Sequence, residues 1–187
     1  MILLSVLLFI LIIFYNLYFK EDDKVEIEKQ ISTNQISTNQ VGNNIIKNLK
    51  YEITLNQNND YIIEAELSEL IYKDDVETVK MKKVEAFLID KNNMPILVTS
   101  DDATYNNTNY YTNFKNNVEI KYLENIIYAD NMTLDFKNNS ISISDNVKYI
   151  GSDGVMKADN MKIDLITKKI SIFMNNTSEN VLINSKN

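Results

Sequence analysis

The chain contains no cysteine, histidine or tryptophan, and its 19 basic side chains are all lysine because arginine is absent as well. Each absence removes a class of function. Without Cys or His there is no zinc site of the usual kind, no Ser-His-Asp or Cys-His nucleophile, and no thiolate ligand for haem or iron–sulfur. No disulfide can form, so cysteine usage does not report the redox compartment. The 26 acidic residues outnumber the lysines and leave a net charge of −7 over 187 residues. An acidic chain without arginine is badly equipped to grip phosphate backbones, so nucleic acid is not an expected partner. Glycine and proline are scarce too, at three and one, which leaves few residues for turns that need a positive φ. The length allows one folded domain plus an appendage. Abundant Asn, Ile, Lys and Tyr read as the codon bias of an AT-rich genome.

Residues 1–19, MILLSVLLFILIIFYNLYF, carry no charge. As a helix they would span roughly 28 Å, close to the ~30 Å hydrocarbon core of a bilayer. Tyr15 and Tyr18 suit the aromatic belt at its surface. The apolar run is longer than the apolar region of a signal peptide, and Lys20-Glu21-Asp22-Asp23-Lys24 is a poor cleavage context. The expectation is one uncleaved N-terminal transmembrane helix. The nearby lysines all follow it, so the positive-inside rule does not by itself direct the remainder outward.

Residues 20–47 read as a flexible linker: polar, without aromatics, and containing Ile31-Ser32-Thr33-Asn34-Gln35 twice in succession. From 48 to 187 short runs alternate apolar with polar residues, as in Ile62-Ile63-Glu64-Ala65-Glu66-Leu67 and Ile141-Ser142-Ile143-Ser144. Period-2 alternation marks strands with one buried face. Turn signals separate the runs at Asn58-Asn59-Asp60, Lys91-Asn92-Asn93, Asn106-Asn107, Asn116-Asn117, Lys137-Asn138-Asn139 and Ser152-Asp153-Gly154. Asn, the next residue after Gly able to enter the left-handed region, takes over glycine's task. Residues 76–84 leave a helix conceivable but show no convincing stripe. The domain is expected to be all-β.

A repeat organises it. Ser100 to Tyr105, Ala129 to Leu134 and Ala158 to Ile163 each begin with a small residue and Asp, with Asp101, Asp130 and Asp159 spaced 29 residues apart. Asn117-Val118 and Asn146-Val147 follow at the same interval, whereas Asn180-Val181 comes five residues late. Such a period describes a stack of similar β-units that bury their apolar faces on one another. The three aspartates are not read as a calcium array, because the glycines that let such loops wrap an ion are missing. They are expected to satisfy backbone groups at strand corners. Carboxylate pairs such as Asp74-Asp75 sit beside Lys73 and read as solvated, and sequons are expected by chance in so Asn-rich a chain. No constellation points to an enzyme, a metal site or a cofactor.

One apolar anchor, a linker, and strands with small-Asp-polar-apolar and Asn-Val-x-apolar blocks together resemble the LptC family of membrane-anchored lipopolysaccharide-export components. Tyr61 to Ala65, Val84-Glu85-Ala86, Thr99 to Tyr105, Asn117 to Ile120, Ala129 to Phe136, Asn146-Val147 and Ala158 to Leu165 carry the likeness. The family's turn glycines are mostly Asn or Lys here. The resemblance implies an open β-jellyroll of the OstA/LptA type, in the periplasm on an inner-membrane anchor. It implies that the domain accepts lipopolysaccharide from the transmembrane subunits of an ABC transporter (LptF/LptG-like). The lipid then passes to an LptA-like periplasmic bridge protein by edge-to-edge strand pairing, with acyl chains held in an apolar trough.

On the apolar phase of the strands, the expected trough residues are Ile63, Ala65, Ala86, Leu88, Ala103, Tyr105, Phe114, Val118, Ile120, Met132, Leu134, Phe136, Ile143, Val147, Met161, Ile163 and Ile172. The same residues would equally serve a closed sandwich core. In a stack of β-units only the first and last strands are unpaired, so Tyr51, Ile53 and Leu55 are the expected edge toward the transporter. Val181 and Ile183 are the expected edge toward the bridge protein, an assignment partly borrowed from the family. Two other classes stay open. One is a soluble LptA-like bridge protein, and the other is a structural or adhesive β-repeat protein without a lipid ligand.

Overall fold

The computed structural model describes residues 27–33, 44–55, 59–73, 76–89, 95–167, 169–176 and 178–185. The expected anchor at 1–19 lies outside the described residues. Among those described, no helix is long and apolar enough to cross a membrane. Eleven strands form one sheet: β1 (Ile27–Thr33), β2 (Asn44–Leu55), β3 (Asn59–Lys73), β4 (Val76–Ile89), β5 (Pro95–Asn106), β6 (Tyr111–Tyr122), β7 (Asn125–Asp135), β8 (Ser140–Gly151), β9 (Gly154–Asp164), β10 (Ile170–Phe173) and β11 (Leu182–Ser185). Strands β1 to β10 lie side by side in chain order, every neighbouring pair antiparallel, and β11 pairs with β9 beside β10. The all-β expectation holds, and the conceivable helix at 76–84 is part of β4. Pro95 is the first residue of β5, where its missing N–H costs little.

The sheet begins earlier than its alternation suggested. Residues 27–33, expected to lie in a linker, form β1 and pair with Leu49 to Leu55 of β2, which itself starts at Asn44 rather than at 48. Pairing uses main-chain groups, and the polar side chains of this stretch concealed it.

A crease crosses the strands near their middles. On alternate strands it is made by residues with positive φ: Asn48 in β2, Lys83 in β4, Asn116 and Asn117 in β6, Asp145 and Asn146 in β8. From β5 onward the pairing register slips by one residue at this line, the signature of a bulge. Asn116-Asn117 is therefore not a turn, as its sequence suggested, but a bulge inside β6.

The intervening strands each place a carboxylate at the crease, at Glu66, Asp101, Asp130 and Asp159. Lys83 pairs with Glu66 at 2.7 Å. The side-chain amides of Asn117 and Asn146 donate to Asp101 and Asp130 at 2.6 and 2.5 Å, and the backbone N–H of Asn175 donates to Asp159 at 2.8 Å. The 29-residue period is thus a ladder of carboxylates, of which Asp101 and Asp130 hold left-handed asparagines on the next strand and Asp159 holds Asn175, just past β10. Only the Asp159 rung meets a backbone group, as expected; the other two aspartates meet amide side chains.

The crease divides every long strand into two halves, and so the sheet into two leaves. The leaves face each other. Tyr51 on one leaf of β2 stacks at 5.2 Å on Tyr105 from the opposite leaf of β5. Tyr61 on β3 meets Phe136, just past β7, edge-on at 5.0 Å. In a flat sheet strands three apart would lie roughly 14 Å from one another at about 4.8 Å per strand. Contact at 5 Å therefore requires a sheet rolled onto itself, with its core between the leaves.

Candidate functional site

The interior is built by alternation. In β8 the burial of Ile141 and Ile143 alternates with the exposure of Ser142, and the same phase resumes beyond the bulge at Val147. The bulge is what preserves this phase: one extra residue at the crease offsets the turn in the chain, so apolar side chains stay inward on both leaves. All seventeen side chains expected on the apolar phase lie in this interior. Fourteen belong to the buried cluster, and Leu88, Ile163 and Ile172 pack against it half-buried.

Sequence reading overlooked several equal members of the cluster. Tyr61, Met81, Val98 and Ile141 are at most 2 % exposed. Ile141 was open to discovery, since it stands two residues from Ile143 in the same run. Tyr51 was assigned to an edge but belongs here, at 6 % exposure.

Among the described residues the fully buried hydroxyls of the interior gather toward β2–β6. Tyr51 donates to the Tyr105 hydroxyl at 3.2 Å, and Tyr61 donates to Thr112 Oγ1 at 3.3 Å. Burial holds the hydroxyls of Tyr51, Tyr61 and Tyr105 above the usual phenol range, so they remain neutral. Ser68 is buried as well, and its Oγ has no hydrogen-bond partner among the described residues. Toward β7–β10 the inward Met132, Leu134, Ile143, Met161 and Ile172 are hydrocarbon or thioether, and the half-buried Tyr149 adds one hydroxyl, which donates to Asn125 Oδ1 at 2.6 Å.

The leaves meet closely. A void of about 40 Å³ lies between them, lined by Ile46, Leu49, Tyr51, Ile63, Leu70, Glu77, Val79, Met81 and Tyr105. Ligand pockets usually measure roughly 300–1,000 Å³, so an acyl chain enters only if the leaves part. A larger groove of about 330 Å³ lies on the outer side beside exposed Ile45 and Leu67, bordered by Lys80, Lys82 and Asp102. There the Lys82 ammonium, with the Asn116 amide, holds the Asp102 carboxyl below its usual value.

The two expected edges fare differently. Tyr51, Ile53 and Leu55 do not form an edge, because β2 is paired with β1 on one side and β3 on the other. Among the described residues the N-terminal edge is β1. At the other end Ile183 stands in β11 opposite Met156, 71 % exposed, and Val181 immediately precedes that strand, half-buried. Exposed apolar side chains gather here, with Ile166, Ile170, Phe173 and Leu182 also uncovered. No group of three or more metal-ligating side chains occurs among the described residues.

The interior is apolar, and it lies inside a sheet whose outer strands β1, β10 and β11 have no further strand beyond them among the described residues. A family model described as lipopolysaccharide-assembly, LptC-related, matches residues 5–178. No curated protein matches the chain. The resemblance read in the strand blocks and the match over most of the chain agree: the chain belongs to the LptC family, whose role is lipopolysaccharide transport.

Proposed function

We propose that this protein accepts lipopolysaccharide from the transmembrane subunits of an inner-membrane ABC transporter and relays it to a periplasmic LptA-like bridge protein. Residues 1–19 anchor it in the inner membrane, and the rolled sheet, an open jellyroll, stands in the periplasm. Leaving a twelve-carbon chain in water would cost on the order of 10 kcal/mol at ~0.8 kcal/mol per methylene. Carrying it across an aqueous space therefore needs a continuous apolar path. The observation that carries this reading is that seventeen side chains from β3 to β10 line one interior that runs the length of an open sheet. Hand-over by strand pairing supports the same reading, since β10 and β11 have no further strand beyond them among the described residues. β1, nearest the anchor, takes the transporter end, and Ile183 and Val181 the bridge end. The relay spends no bond energy of its own.

The test is photo-crosslinking in membranes, with the reactive residue placed singly in the full chain. Ile120 and Phe136, which face the interior, should capture lipopolysaccharide. Ser142 and Lys137, which face solvent, should not. Equal labelling at all four positions would overturn the lipid-holding interior.

A further inference from the structure

One row of side chains crosses the sheet beside the crease, on the leaf that ends in β10. Register sets Ile46 of β2 against Ser68 of β3, Ser68 against Met81 of β4 and Met81 against Ala103 of β5. The row continues through Phe114 of β6 to Ile172 of β10. Every member except Ser68 is hydrocarbon or thioether and belongs to the core cluster or packs against it. Directly paired residues stand on the same face of a sheet. Ser68 therefore points inward with its neighbours, 1 % exposed.

A hydroxyl buried there without a partner is costly, and alanine would suit the row without that cost. The other buried hydroxyls of the interior are satisfied inside the protein. Tyr51 donates to Tyr105, Tyr61 to Thr112, and Ser100 Oγ to the Asp102 carbonyl at 2.8 Å. Among the described residues only Ser68 Oγ is left over. Around it the crease is lined by small side chains, Ala65 on its own strand and Ser100 and Ala103 on β5, all buried. When the leaves part, the group that suits this place is slender, apolar, and equipped with one hydrogen-bonding oxygen.

Ser68 also stands near one end of the row. β1 pairs only with Leu49 to Leu55, on the other leaf. On the leaf of Ser68, residues 44–47 of β2 are therefore the outermost strand among the described residues, and Ser68 lies one strand inside them, about 5 Å away. From β4 to β10 the row offers no second hydrogen-bonding side chain. An alkyl chain laid along it has one polar contact, at β3, and apolar contacts thereafter. We propose that Ser68 is a lipid-binding residue. Its hydroxyl pairs with an oxygen near the carboxyl end of an acyl chain, either the acyl carbonyl or a hydroxyl close to it. The bond sets the direction of the chain, oxygen at β3 and methyl end toward β10. A chain so placed has entered tail first past residues 44–47, with its headgroup trailing outside. The proposal rests on the reading of the interior as the lipid-holding site and adds the ligand's polarity to it.

The test uses full-length protein in mild detergent, with a photoreactive residue at Ile120 reporting capture of lipopolysaccharide. Three competitors are titrated: pentadecane, which has no oxygen, methyl tetradecanoate, and methyl 3-hydroxytetradecanoate. In the natural chain the hydroxy ester, at least, should compete better than pentadecane. Ser68→Ala should weaken the oxygen-bearing competitor about fivefold, the worth of one ordinary hydrogen bond, and leave pentadecane unchanged. Loss confined to the hydroxy ester assigns the bond to the hydroxyl, and loss for both esters assigns it to the carbonyl. Without lipid, Ser68→Ala should melt no lower than the natural chain, since it removes an unpaired group. Equal loss for all three competitors, or loss for none, overturns the proposal. So does a lower melting temperature with unchanged competition, which would give Ser68 an internal water or a packing role instead. If the natural chain captures no lipopolysaccharide at Ile120, the lipid-holding reading fails and this proposal with it. Intact capture with unchanged competition sinks this proposal alone.

Discussion

A side chain in the left-handed region costs most residues about 1–2 kcal/mol, yet nine non-glycine residues occupy it among those described, five of them asparagine. The chain has only three glycines, so its crease is made from the residue type that tolerates this backbone next best and can also bond locally. At Asn146 the two properties are separable. Asn146→Gly keeps the backbone and loses the amide bond to Asp130, an exposed contact. Asn146→Ala loses the bond and adds the conformational cost. Urea titration should find the alanine variant roughly 1 kcal/mol or more below the glycine variant. Equal stability would mean that backbone geometry is not what asparagine supplies. Reading Asn as a glycine substitute was possible from composition. Locating the crease was not, because Asn116-Asn117 inside β6 and Asn138-Asn139 in a true turn are the same dipeptide. What distinguishes them is the carboxylate on the neighbouring strand, sixteen residues back at Asp101, which only the fold brings alongside.

At the scale of the strand, alternation carried most of the reading. Phe114, Ile143 and Met161 were placed inside because a pleat sends every second side chain to one face, and a buried face leaves that period in the sequence. Edges leave no such period. Main-chain pairing is indifferent to side chains, so Ile27–Thr33 could join β2 without an apolar pattern, and Tyr51 became interior instead of terminal. The hold of β11 on β9 depends on Gly154, whose φ is 147° and whose absent Cβ would otherwise fall on the Asn184 carbonyl oxygen and within 3.0 Å of Ser185 Cα. Backbone cannot yield there as a flexible side chain would. Gly154→Ala should release β11 while leaving β10 paired, since β10 bonds to Asn160 through Ile163 at the far end of β9. Hydrogen exchange should show protection lost at 182–185 and kept at 170–173. Protection retained in both segments would show that β11 tolerates the added carbon.

At the scale of the molecule, a single rolled sheet has two ends to protect. At one of them β1 covers Leu49 to Leu55 of β2. A fragment of residues 44–187 would expose the whole of β2, a twelve-residue edge, and is expected to associate with itself in sedimentation, whereas residues 27–187 should not. Identical behaviour of the two fragments would mean that β1 protects nothing. The chain-order pairing of the strands also sets a timetable for synthesis. Each hairpin can form as soon as its second strand is made, since no strand waits for a distant partner along the sheet. Closure of the interior is slower to become possible. Tyr51 meets Tyr105 only after another 54 residues have been added, and Tyr61 meets Thr112 after 51. For that interval the growing ribbon carries a bare apolar face, and β10 and β11 are the last strands among the described residues to join it.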